Sequence, residues 1–138
     1  MPFLELADYD KQIKDASLDQ VKGSEGNRTA SELAAQEEME SYLNQRFNVA
    51  NIFNKTGDAR NPLVVMYMID ISLYHMHSRV TPRNIPEIRI DRYDSAIKWL
   101  DKVNKGALTP DLPKKADADG ETVIRSRMGS NTKLNHQW

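Results

Sequence analysis

Two stretches of the chain carry apolar residues at steps of three and four, the spacing that places them on one side of an α-helix. In "TASELAAQEEMESYLNQRF" the stripe is Ala35, Met39, Tyr42, Leu43 and Phe47, set in an acidic segment. Thr29 and Glu32 stand before it at the T-x-x-E spacing of a capping box, where each side chain satisfies an amide that the first turn leaves unpaired. In "RNIPEIRIDRYDSAIKWLDKVNKG" the stripe is Ile90, Tyr93, Ile97, Leu100 and Val103. Asn84 and Glu87 repeat the cap logic around Pro86, and Gly106 supplies the left-handed residue that closes a helix.

Between them, "NPLVVMYMIDISLYHMHSRVTP" opens with a capping Asn61 and with Pro62 at the first helical position, where no amide hydrogen is needed. Pro82 stops it near Val80. This helix is apolar on nearly every side, as expected of one surrounded by other elements or shared between subunits. Near the start, Asp8 reads as a cap for Tyr9, Ile13 and Leu18, and Gly23 and Gly26 end that segment, giving one short helix and a polar loop. The loop "NVANIFNKTGDARN" exceeds the usual two to eight residues or so between bundle helices, which marks it as functional or mobile. From Ala107 the periodicity is lost, and only "ETVIRSR" hints at a strand. The expected architecture is all-α: a compact bundle of about four helices over residues 1–106, with the long inter-helix loop and an extended C-terminal arm over residues 107–138.

A chain of 138 residues suits one domain, and 39% hydrophobic with 28% charged residues fits a soluble one. The net charge of -1 argues against a protein whose main task is coating nucleic acid or anionic membrane. That charge is segregated: residues 1–61 carry 7 basic and 11 acidic side chains, residues 62–106 carry 7 and 5, and the tail carries 5 and 4. An acidic end and a basic hairpin of this kind can meet across subunits. With no cysteine, disulfides, thiolate metal sites and thiol nucleophiles are excluded. The N-terminus lacks the basic start and apolar core of a signal peptide, and the apolar run Leu63 to Met76, broken by Asp70, falls short of the ~20 residues needed to span a bilayer.

His75 and His77 form an H-x-H, but on a helix residues two apart point about 200° apart, so the pair cannot chelate one ion. Asp70 lacks a partner that would make it catalytic, and reads as a structural carboxylate held by Arg46, Arg92 or a tyrosine hydroxyl. Arg79, Arg83, Arg89 and Arg92 gather around a helix hairpin, either as a patch for phosphates or an acidic partner, or as a solvated face paired with Glu87, Asp91 and Asp94. Trp99 lies about 200° from Ile97, off the main stripe.

Three segments in order, "AAQEEMESYLNQRF", "MIDISLYHMHSR" and "RYDSAIKWLDKVNKGAL", resemble the small head-tail connector (head completion or adaptor) proteins of tailed bacteriophages, in particular the Mu-like connector family. The third, with its Arg-Tyr-Asp, Ala-Ile-x-Trp-Leu and Lys-Gly exit, is the most specific, and the likeness runs over roughly residues 5–113. It departs from the family in the long "ANIFNKTGDARN" loop and after Pro113. The resemblance implies a non-enzymatic structural protein without cofactors or metals. It implies a ring, as a rule twelvefold, at the neck of the virion, assembled in the host cytoplasm. There it contacts the portal protein, a tail-side connector or tail terminator, and passing DNA without sequence specificity. The expected contact residues are Ile52, Phe53 and Arg60 in the loop, Arg83 and Arg89 in the hairpin and Trp138 in the arm, with Asp70, Arg46 and Arg92 forming a polar core. A rival is a small helical nucleic-acid-binding regulator using the Arg79 to Arg92 hairpin, and a more distant one an enzyme built on Asp70 with His75 or His77.

Overall fold

The computed structural model describes residues 3–115, so "ETVIRSR" and Trp138 lie outside the described residues. A 3-10 turn at Leu6–Lys11 leads to α1 (Asp15–Lys22), α2 (Glu25–Leu43), α3 (Val49–Phe53), a second 3-10 turn at Gly57–Ala59, α4 (Pro62–Val80) and α5 (Glu87–Lys105). The fold is all-α, as the periodicity predicts, and no strand occurs among the described residues.

The apolar helix α4 is the centre. It begins as its sequence dictates, with Asn61 Oδ1 accepting from the amides of Leu63 and Val64 and Pro62 in the first turn. Every residue from Met68 to Leu73 is buried. At about 100° per residue, six consecutive buried positions close a full circle around the axis, so neighbours must cover all sides. α2, α5, α1 and the first 3-10 turn do so. Tyr67 stacks on Trp99 and Tyr74 on Tyr93, at 4.8 and 4.1 Å between ring centroids, which fixes α4 and α5 as antiparallel.

α2 buries the expected Ala35, Met39 and Leu43 fully, and Phe47, four residues past its end, is buried as deeply. Its start differs from expectation. Ser24 is the cap, its hydroxyl accepting from the Asn27 amide at 3.1 Å, whereas Thr29 lies inside the helix and donates back to the Glu25 carbonyl. Only one of the two glycines breaks the chain. Gly23 takes φ +70, and a Cβ there would meet the Val80 side chain at 3.3 Å, while Gly26 is absorbed into the first turn of α2. Asp8 caps no α-helix, and two short helical segments replace the single one expected before α2.

Asn84 likewise lies too early to cap α5, which starts after Pro86 without a side-chain cap, while Gly106 closes it at φ +84. α5 buries Arg89, Ala96, Trp99, Leu100 and Val103, with Tyr93 and Ile97 packed partly buried against the core, so that only Ile90 of the expected stripe, 39% exposed, stands outside it. The buried face is wider than expected because Trp99 stacks on Tyr67 of α4, and because Ala96 and Arg89 carry too little apolar signal to be counted.

The long loop is structured. Asn48 caps α3, which turns Ile52 and Phe53 into the core at 3% and 8% exposure. After Gly106 the chain returns to the bundle: Leu112 is buried, the Asn48 amide donates to the Pro113 carbonyl and the Lys115 amide to that of Arg46.

Replacing Ser24 by Ala should cost about 1 kcal/mol of stability, while Thr29→Ala should cost less than half of that. Urea unfolding of the two variants decides between the two caps.

Candidate functional site

Ionic and polar side chains work mainly as internal clamps. Arg60 reaches from the second 3-10 turn to Asp8 in two hydrogen bonds of 2.6 and 2.9 Å, and donates also to the Phe3 carbonyl at 2.8 Å. Both side chains of the pair are only 7% exposed. Burial works against the Asp8 charge, but the hydrogen bond and charge of Arg60, with the Glu5 amide, hold its pKa below the usual carboxylate range. Phe3 meets Phe53 edge-on at 5.0 Å under this clamp. A two-point guanidinium bridge of this kind fixes direction as well as distance.

Arg46 forms a second clamp. It donates to the carbonyls of Val103, at 2.5 Å, and Leu108, and to the Thr109 hydroxyl, tying the chain after α2 to the turn that ends α5. In a third, the Tyr9 hydroxyl donates to Glu32 at 2.5 Å and Arg28 bonds the same carboxylate at 2.8 Å. Burial raises the Glu32 pKa against the opposing pull of Tyr9 and Arg28. Glu38 makes the fourth, accepting from the Tyr93 hydroxyl at 2.7 Å and meeting His75 Nε2 at 3.1 Å, which joins α2, α4 and α5.

Asp70 is different. It is 4% exposed and its Oδ1 has no hydrogen-bond partner. Burial pushes its pKa up to about 6, with the charges of Arg92 and Arg89 pulling the other way. Arg89 spends one nitrogen on the Gln12 carbonyl at 3.1 Å, while its other terminal nitrogen and His77 Nε2 are buried without partners. Burial and the Arg89 charge lower the His77 pKa.

The family described as Bacteriophage Mu, Gp36 matches residues 4–126. The chain belongs to this family. No curated protein and no solved structure matches it.

For this Mu Gp36 family member the structure relocates most of the residues expected at contacts. Ile52, Phe53 and Arg60 are occupied inside the molecule, and Arg89 is 8% exposed. Arg83 is exposed, and Trp138 lies outside the described residues. The arginine hairpin thus presents Arg79 and Arg83 outward, with Arg92 half-buried. Arg46 does not hold Asp70: both its terminal nitrogens bond at the end of α5 and its Nε is buried without a partner; Arg92 and Arg89 reach that carboxylate as charges, without a hydrogen bond to the buried Oδ1. His75 and His77 stand on a helix, one against Glu38 and the other buried. Among the described residues no group of three His, Asp or Glu could hold a metal ion, and no helix is long and apolar enough to cross a membrane. A cleft of about 270 Å³ lies between the former loop and the returning chain, lined by Ile52, Lys55, Pro62 and Leu112 among others.

Sequence reasoning missed Asp8, Tyr9, Glu32 and Glu38 as clamp residues. Their partners lie 52, 23 and 55 residues away in the cases of Arg60 to Asp8, Tyr9 to Glu32 and Tyr93 to Glu38, and no local spacing links them.

Two measurements follow. Asp70 has a folded pKa of about 6 against an ordinary value of 3.8, so the folded state holds the proton more tightly. Its contribution to stability is present at low pH and is lost as pH rises from about 4 through 6, by roughly 3 kcal/mol. Asp70→Asn should remove that fall and raise the urea midpoint at pH 7; an unchanged pH profile would contradict the assignment. Arg60→Met, which strands a buried carboxylate, should cost about 3 kcal/mol or more at pH 7. The depressed Asp8 pKa means that the bridge is present above about pH 4 and lost as pH falls below it, so the deficit should shrink in acid.

Proposed function

We propose that the protein is a head-tail connector: a non-enzymatic adaptor subunit that forms an oligomeric ring between portal and tail and lines the DNA channel at the virion neck. The observation that carries this is membership of the Bacteriophage Mu, Gp36 family over residues 4–126, together with the head-tail connector resemblance of the segments that build α2, α4 and α5. The body fits the task. Its clamps lock a small helical unit into one shape, while leucines and isoleucines such as Leu33 and Ile88 stand 60% and 50% exposed on helix surfaces. Exposed apolar side chains of that size suit a subunit that completes its burial against neighbours.

Portal and tail-side proteins are the partners this role requires, with DNA passing through the ring without sequence readout. The rival nucleic-acid regulator loses two of its four arginines to burial or partial burial, Arg89 and Arg92.

Particles made without this protein should accumulate as heads and tails that fail to join, and supplying the full chain should restore joining. Finding the protein absent from purified particles would defeat the proposal. Truncation after Lys115 spares the pairing with Arg46 and Asn48. It should leave the melting temperature within a few degrees while abolishing incorporation into particles, as read by electrophoresis of purified virions. A steep loss of duplex affinity of the isolated chain with rising salt would favour the regulator instead.

A further inference from the structure

We propose that the outer face of α2 in one copy packs against the surface formed by the start of α4 and the end of α5 in the next copy. The inference rests on the ring reading and names the contact that would build it.

On the α2 side, Leu33 is the most exposed large apolar side chain among the described residues, at 60%. Gly26, Ala30 and Leu33 share one arc of the helix with Glu37 and Glu40, within about 80° at 100° per residue. Shallow depressions flank that arc on both halves, one bordered by Gly26, Ala30 and Val80, another by Gln36, Glu40 and Phe53. Neither Glu37 nor Glu40 has an ion-pair partner among the described residues. The face is therefore a small-residue ledge with one leucine knob and an acidic end.

The opposite surface has matching chemistry. Leu63 is 41% exposed and lies one turn from Tyr67, whose half-exposed ring stacks on Trp99. Lys98 and Lys102 stand exposed together on one side of Trp99 in α5, again without ion pairs among the described residues. Leu108, also 41% exposed, sits on the turn that follows, its amide bonded to the Lys102 carbonyl. This surface is apolar and aromatic with a basic border.

A second copy is the occupant that these facts favour, because one chain carries both complementary halves. Opposite charges beside apolar anchors set register and reject the reversed pairing. Since the halves are different surfaces, the contact is head to tail, and repeating it closes a ring or extends a filament.

The test swaps charges on the full chain, with native mass spectrometry and sedimentation as readouts and circular dichroism as a check of folding. E37K/E40K and K98E/K102E should each weaken self-association by on the order of a hundredfold while keeping wild-type helicity. An equimolar mixture of the two variants should assemble again, in alternating order and hence with even subunit numbers. L33D should not be rescued by either. If the wild type assembles and both swapped chains do so equally well alone, this contact is wrong and the ring reading stands. If the wild type stays monomeric at every concentration, the contact is wrong as a self-association surface, while the ring reading falls only if the protein is absent from particles.

Discussion

The burial of the middle of α4, Met68 to Leu73, on every side governs the rest of the molecule. A helix that exposes no polar stripe cannot be stable until several neighbours cover it, so α1, α2, α5 and the first 3-10 turn are arranged around it. The apolar drive is non-directional and would tolerate rotation or sliding of these neighbours. Direction comes from the polar clamps at the edges: Asp8 with Arg60, Glu32 with Tyr9, Glu38 with Tyr93 and His75, and Arg46 at the end of α5. Each joins segments far apart in the chain, and each places its charge where an alternative packing would strand it.

How much of this was legible follows from the range of each interaction. Helix α4, the buried face of α2 and the Gly106 stop rest on contacts within one or two turns, so the spacing of Asn61, Pro62, Ala35, Met39 and Leu43 was enough. The start of α2 lies earlier than its spacing suggests: Ser24 caps it where Thr29 is expected, just after Gly23 turns the chain against Val80, a tertiary event. The α5 face extends further than its spacing shows for a related reason: Trp99 is inside because Tyr67 is opposite, and α5 alone does not contain that fact. The surroundings of the expected contact residues were the least legible. Ile52, Phe53 and Arg60 looked available because they sat in an apparent loop, yet a five-residue helix and a carboxylate 52 residues away enclosed them.

Asp70 marks a place where the solution around α4 is left incomplete, as do Ser72 and His77 on the same helix. A buried carboxylate with arginine charges nearby and an unpartnered oxygen is held in place by surrounding packing more than by its own bonds. Family membership gives such a rigid helical body a phage setting, and the surfaces left outside the clamps are where any assembly must find its purchase.

The return of the chain at Pro113 to Lys115 has a mechanical meaning. Any pull on the backbone beyond Lys115 is delivered first to the bonds with Arg46 and Asn48 and to the seated Leu112 side chain. From there the load passes into the junction of α2 and α3 and, through the Arg46 guanidinium, to the last turn of α5. Such a pull is therefore shared by α2, α3 and α5 and does not peel α5 away from its end.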